Sequence, residues 1–323
     1  MLDSHCTLRE SIKLYSQKHR EAWSTGQFRR RAFRYLIESV GDIKIAEFDY
    51  CCAEDFQGWL AGRMSAVSAN SYVKMVRPVF SWAIRRRIIA ADPFDTLRPL
   101  RTTQQDIRVF SEPEIQAILA SSPNELWRAR IIASLTAGLR RSEVLNLTVA
   151  DIDFERQFIK IRPKRRTAYT WPWQPKNYQI RTVPLSAQLY NLLLGVILPG
   201  LPAGQPYVML AERRYWSLQK RIGSLSERVC LCPDENFSKP FKQILRAAKI
   251  SDGCFHDLRR TAITNWARCL PLRDVMSLAG HSSIETTQKY YLALGPDYLQ
   301  EASRASANLI KAIGATGLEP ATS

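Results

Sequence analysis

The chain has 323 residues, and its 46 Lys plus Arg against 30 Asp plus Glu give a formal net charge of +16. Such an excess sets up a positive field that attracts polyanions, nucleic acid first and an anionic membrane surface second. The length suffices for two domains, and no stretch reaches the roughly 20 apolar residues a membrane-crossing helix needs.

Met1–Glu10 lacks the apolar core of a secretory signal. The seven cysteines (Cys6, Cys51, Cys52, Cys230, Cys232, Cys254 and Cys269) are odd in number and scattered. That pattern fits reduced thiols in a cytoplasm rather than a disulfide framework. Cys230 and Cys232 have no second pair at zinc spacing, so no metal site is read from them. A cytoplasmic protein, associated with the nucleoid when on DNA, is the expectation.

Residues 1–97 read as helices. Phe28, Ala32, Leu36 and Val40 recur at helical spacing, and Gly41 stops that helix. Ser68 is placed to cap a further helix with Tyr72, Val76, Val79, Phe80 and Ala83 on one face. Arg85, Arg86 and Arg87 end it, where cations complement the helix dipole. Asp92-Pro93 then breaks the chain, and the polar stretch 98–106 reads as an interdomain linker.

The second domain is expected over 107–314. Ser111 with Glu114 three residues on spells a capping box, followed by Ile115, Ile118 and Leu119 on one face. Two short β segments follow, Gln157–Ile161 and Ile180–Leu185, and helices resume after Phe237. A last helix, 298–313, carries Leu299, Ala302, Leu309 and Ile313 in one stripe, and 315–323 reads as a disordered tail. The fold class is mainly α with a small antiparallel β-sheet.

Four sites carry chemistry. Gly138 makes a turn before a helix from whose start Arg140 projects, and Glu143 is placed to hold it. A guanidinium there can grip two oxygens of one phosphate. The loop between the β segments holds Lys164, Arg165, Arg166 and Lys176 interleaved with Tyr169, Trp171, Trp173 and Tyr178. Its basic residues read as phosphate contacts or as a solvated face, its tryptophans as packing. His256 and Arg259 lie at i and i+3, one face of a helix near its N-terminus. Finally His281 precedes a helix bearing Tyr290 and Tyr291. A phenol becomes a competent nucleophile at phosphate only where cations stabilise the developing charge.

The motifs G-L-R-x-S-E, K…R-T-V-P-L, H-x-L-R-R-T, G-H-S-S and T-T-Q-x-Y stand here in the chain order of the tyrosine recombinase (phage integrase) family, and Val109–Leu294 resembles its catalytic domain. The helical first part is similar to the family's core-binding, SAM-like domain. The resemblance implies that Arg140 and Arg259 clamp the scissile phosphate and that His256 and His281 bond it or move protons. Lys176, five positions before Arg181, would protonate the 5′-oxygen. Lys164 is the alternative, because the loop is longer than the family's usual one. Tyr290, nine positions after His281, is the nucleophile ahead of Tyr291. Arg181 and Arg260 join Lys164, Arg165 and Arg166 as expected DNA contacts.

What the resemblance implies is a site-specific recombinase acting on double-stranded DNA as a homotetramer. It would work through a 3′-phosphotyrosyl intermediate and a Holliday junction, with no metal and no nucleotide cofactor. Residues 1–106 carry a net charge of +5 and the remainder +11, so more of the positive field lies with the chemistry. The rivals are a type IB topoisomerase-like enzyme and a non-catalytic DNA-binding protein on the same scaffold. A metal-dependent nuclease is disfavoured because no carboxylate cluster for two ions is evident.

Overall fold

The computed structural model describes residues 6–19, 23–103, 106–222, 233 and 237–292. It divides into two compact units, 1–105 and 106–323. The expected last helix, the tail and the Cys230–Cys232 pair lie outside the described residues.

The first unit is helical: α1 (Leu8–Lys18), α2 (Trp23–Val40), α3 (Tyr50–Ala61) and α4 (Ala66–Arg85). Gly41 stops α2 at φ +81°, a conformation that glycine adopts without steric cost. Ser65, not Ser68, caps α4; its hydroxyl accepts from the Ser68 backbone N–H, so the predicted cap is the third helical residue. Phe48, Phe80 and Phe94 meet at centroid distances of 4.6–5.6 Å at the centre of this core. The polar stretch expected as linker is tied down at its start: Gln57 donates to the Arg98 carbonyl, and the Asn70 side chain bonds both backbone groups of Leu100.

The second unit runs α5 (Glu112–Ala120), α6 (Glu125–Thr136), α7 (Arg141–Leu145), β1 (Ile152–Asp153), β2 (Phe158–Ile161), β3 (Arg181–Pro184) and α8 (Ala187–Leu192). Then come α9 (Glu212–Ile222), α10 (Ser238–Ala247), α11 (Phe255–Cys269), α12 (Leu272–Ala279) and α13 (Ile284–Leu292). The capping box at Ser111 and Glu114 forms as its sequence dictates. The sheet is antiparallel in the order β1-β2-β3, with Ile159 opposite Val183 and Ile161 opposite Arg181. Side chains alternate across a strand, so Arg181 shares the buried face with Val183.

The long β2–β3 connection is anchored by its tryptophans. Trp171 is fully buried and stacks on Tyr207 at 3.9 Å and 8°. Its indole N–H donates to Asn146 Oδ1 at 2.8 Å, and its backbone N–H donates to the Tyr207 hydroxyl at 3.1 Å. Trp171→Ala is therefore expected to destabilise the second unit by about 3–5 kcal/mol, the usual cost of emptying a buried aromatic site. A urea melt checks this; an unchanged midpoint would show the loop to be held by something else.

Candidate active site

Arg140 owes its position to a turn. After α6, Gly138 adopts φ +59°, and an added Cβ would lie 2.6 Å from the Trp266 ring, so the turn admits glycine alone without rearrangement. Leu139 is buried, and Arg140 stands as the extended N-cap of α7. Glu143, at the third helical position, accepts from the Arg140 backbone N–H at 2.7 Å and from its guanidinium at 2.8 Å. The carboxylate also accepts two bonds from Arg181, at 2.8 and 2.7 Å. One buried acid thus caps a helix and fixes two guanidinium groups.

A third arginine joins them. Arg259, on α11, is 1% exposed and donates to the carbonyls of Gly138 and Ala279. Around the C-terminus of α12 three successive carbonyls serve three arginines: Leu278 for Arg181 at 2.8 Å, Ala279 for Arg259, and Gly280 for Arg140 at 2.8 Å. Helix C-termini offer unpaired carbonyls and partial negative charge, which suits cations. Gly280 turns the chain there at φ +61°, and a Cβ on it would press on Arg181 and Gln179 at 3.1–3.3 Å. One carboxylate against three guanidinium groups leaves this cluster with an excess of positive charge, the requirement for holding an anion.

His281 follows directly. Its Nε2 lies 3.3 Å from Arg259 Nη2 and its Nδ1 lies 2.9 Å from Thr287 Oγ1. Arginine can only donate, so Nε2 accepts and Nδ1 carries the proton that it donates to Thr287. Burial, then the charges of Arg259, Arg140 and Arg181, push His281 down to about 4. His256, although exposed at the surface, is also pushed down to about 4, by partial desolvation and then by the charges of Arg259 and Arg260. Both imidazoles are neutral at pH 7.

Tyr290 is 7% exposed and packs with Ile263, Ala267, Val275 and Ala279, its ring stacked 5.9 Å from that of His281. Burial raises its pKa, and the charges of Arg259, Arg260 and Arg140 oppose the rise. Tyr291 turns elsewhere, donating its hydroxyl to the Leu270 carbonyl at 2.6 Å.

The structure therefore gathers Arg140, Glu143, Arg259, His281 and Tyr290, with His256 within electrostatic reach. Lys176 is exposed on a single 3₁₀ turn, Lys176–Tyr178. Two expected DNA contacts are held by protein partners in this structure. Arg181 is 6% exposed with its guanidinium bonded to Glu143 and Leu278, on the face that strand alternation buries. Lys164 is sequestered against Asp151 at 2.6 Å under Trp173, because withdrawing an ammonium from water requires such a partner. Arg165 and Arg166 are exposed, and Arg260 is half-buried on Asp257 at 2.7 Å. Thr287, the second threonine of the T-T-Q-x-Y motif, is fully buried and bonded to His281, a pairing that the motif does not announce.

A preorganised set of arginines beside two imidazoles and a buried phenol, on a helical unit with a three-stranded sheet, gives this unit a positively charged cluster suited to an anionic group. Residues 108–294 match the Phage integrase family, and residues 7–101 match the Phage integrase SAM-like domain. The chain belongs to the phage integrase family. A tyrosine recombinase XerC-like protein of Caldanaerobacter subterraneus subsp. tengcongensis is 26% identical over 257 residues, 72% of this chain and 63% of that protein. Tyrosine recombinase XerC of Chlamydia caviae is 25% identical over 235 residues, 71% of this chain and 65% of its own. The chain thus spans a little under two thirds of the length of these relatives.

Among solved structures, the Tn1549 transposon integrase in complex with transposon right end DNA superposes with a TM-score of 0.72 at 18% identity, covering 93% of this chain and 99% of that one. A lambda integrase tetramer bound to a Holliday junction gives 0.67 at 16% identity, covering 88% and 77%. These likenesses establish the two-domain, mainly α fold with its small antiparallel sheet.

Proposed function

We propose that this chain is a site-specific DNA recombinase of the integrase type, acting in the cytoplasm on double-stranded DNA and assembling as a homotetramer on it. The observation that carries this reading is the arginine cluster fixed beside His281 and Tyr290. Arg140 and Arg259 neutralise the non-bridging oxygens of a phosphodiester, the electrostatic preorganisation that such chemistry needs without a metal. The Tyr290 oxygen attacks phosphorus, passing its phenolic proton to a neighbouring imidazole, His281 or His256, and forms a 3′-phosphotyrosine as the bond to the 5′-oxygen breaks. That oxygen takes a proton from Lys176, whose exposed turn leaves it free to swing to the DNA while Lys164 stays bound to Asp151. A 5′-hydroxyl of a partner strand then attacks the phosphotyrosine, returning its proton to Lys176; Tyr290 leaves, taking back a proton from the imidazole, and the strand is resealed. The bond energy is retained in the intermediate, so no ATP is consumed. Two such exchanges pass through a Holliday junction.

The imidazoles fit this scheme. Desolvation, and after it the neighbouring arginine charges, hold both at about 4 in the free protein. An arriving phosphodiester anion offsets those charges and raises the two pKa values toward the range where a proton can be shared.

The test uses nicked suicide duplexes tiled across the DNA flanking the gene that encodes the chain, with EDTA present. A denaturant-resistant protein–DNA adduct is the expected product. Tight binding with no adduct on any duplex would leave a non-catalytic DNA-binding protein on the same scaffold.

A further inference from the structure

The long β2–β3 connection and α9 build a surface that the chemistry above does not use. On α9, Arg213, Trp216, Ser217 and Lys220 recur at i, i+3, i+4 and i+7 and are all exposed, while Tyr215 and Leu218 bury the opposite face. The loop is pinned to this helix: the Tyr215 hydroxyl donates to the carbonyls of Tyr169 and Gly204, and the Gln219 amide donates to the Ala168 carbonyl at 2.6 Å. As a result Tyr169 and Trp216, 54% and 39% exposed, converge over Gly204, where an added Cβ would meet them at 3.3 and 3.9 Å. Arg165 and Arg166 are exposed earlier in the same loop. In α9, Glu212 is the single acid against Arg213, Arg214, Lys220 and Arg221.

We propose that this ridge, centred on Arg213, Trp216, Lys220 and Tyr169, is an additional DNA-contacting surface that grips the duplex backbone beside the site of cleavage. Cations interleaved with exposed aromatics suit sugar and phosphate, whereas the core of a protein–protein contact is depleted in charge. Arg213 and Lys220 lie two helical turns apart, about 10 Å, so they engage separate phosphates rather than one. The proposal rests on the recombinase reading only for its location. Tyr169 precedes Lys176 by seven residues, which bounds their separation at about 25 Å. At 3.4 Å per base pair, the contact falls within roughly seven base pairs of the cleaved bond.

The experiment measures binding of the full chain to a random-sequence 40-base-pair duplex by fluorescence anisotropy across a salt series. The variants are Arg213→Glu/Lys220→Glu and Trp216→Ala. A control, Lys239→Glu/Lys242→Glu, makes the same charge change on α10, where both lysines are exposed. Thermal midpoints matching wild type establish that each variant folds. Loss of two phosphate contacts should reduce the slope of log K against log salt by about 1.8, and the α10 control should not. Trp216→Ala should weaken binding without changing the slope. An unchanged slope for the α9 variant, or an equal fall in the control, overturns the surface. Adduct formation by wild type is scored separately. An adduct without the slope change overturns the surface alone, and the slope change without an adduct overturns the recombinase reading while the surface stands.

Discussion

Tyr290→Phe is expected to abolish the covalent protein–DNA adduct entirely, while Tyr291→Phe should retain it at near wild-type yield. The two phenols are adjacent in sequence and opposite in circumstance. Tyr291 spends its hydroxyl proton on the Leu270 carbonyl at 2.6 Å, across a packing contact that anchors α13 to the end of α11. Tyr290 stacks against His281 and lies in the field of Arg259, Arg260 and Arg140. A phenol near pKa 10 is a weak nucleophile at pH 7, and burial makes it weaker. Only cations that strengthen their hold as the oxygen becomes a phosphate ester can reverse that penalty, and they surround position 290 rather than 291. Phenylalanine keeps the ring among Ile263, Val275 and Ala279, so the variant should fold and bind duplex normally. Suicide-duplex trapping with denaturing electrophoresis decides the matter. An adduct that survives in Tyr290→Phe and vanishes in Tyr291→Phe would exchange their roles and require α13 to rotate on DNA binding.

Much of this was legible because the chemistry sits on short local signals. Gly138 before Arg140 and Glu143, His256 and Arg259 one turn apart, and the histidine preceding paired tyrosines all announce themselves within a few residues. The helical face of Phe28, Ala32 and Leu36 and the capping box at Ser111 are equally local. What sequence could not supply is long-range. The carbonyls of Leu278, Ala279 and Gly280 orient three arginines, yet backbone groups leave no trace in residue type. The motif names Arg181 but not its partners; its alternation with Val183 across a two-residue period places it on the buried face, and its bonds to Glu143 and Leu278 are long-range. Ser68 competed with Ser65 for one cap, and serines three apart differ only in where the preceding chain turns. The α9 helix was hidden because its apolar face is narrow and its other positions are charged, so polarity masked the period.

The buried carboxylate of Glu143 offers the sharpest physical test of the arginine cluster. Burial alone would raise its pKa. The bonds from Arg181, with the charges of Arg181, Arg140 and Arg259, overcome that and hold it at about 2 against an ordinary 4.5. A folded-state value below the unfolded one means that the stabilisation is fully present above about pH 4.5 and is lost as pH falls toward 2. A shift of this size corresponds to roughly 3 kcal/mol. Glu143→Gln removes the charge at near-constant volume and leaves Arg181, 6% exposed, buried without a counter-ion. Breaking a buried pair in this way costs about 3–5 kcal/mol, because the surviving charge is uncompensated. For a unit of this size that is roughly 10 °C in melting temperature. Calorimetry from pH 7 to pH 3 should therefore show a large gap between wild type and variant at neutral pH that narrows below pH 4.5. Other acids whose pKa values are lowered, among them Glu114 and Asp151, are common to both proteins and cancel in the difference. Cleavage should fall alongside, since Arg140 and Arg181 lose the acid that aligns them. A variant that melts within a degree of wild type at pH 7 would mean that the carbonyls at the end of α12 hold the arginines without help from the acid.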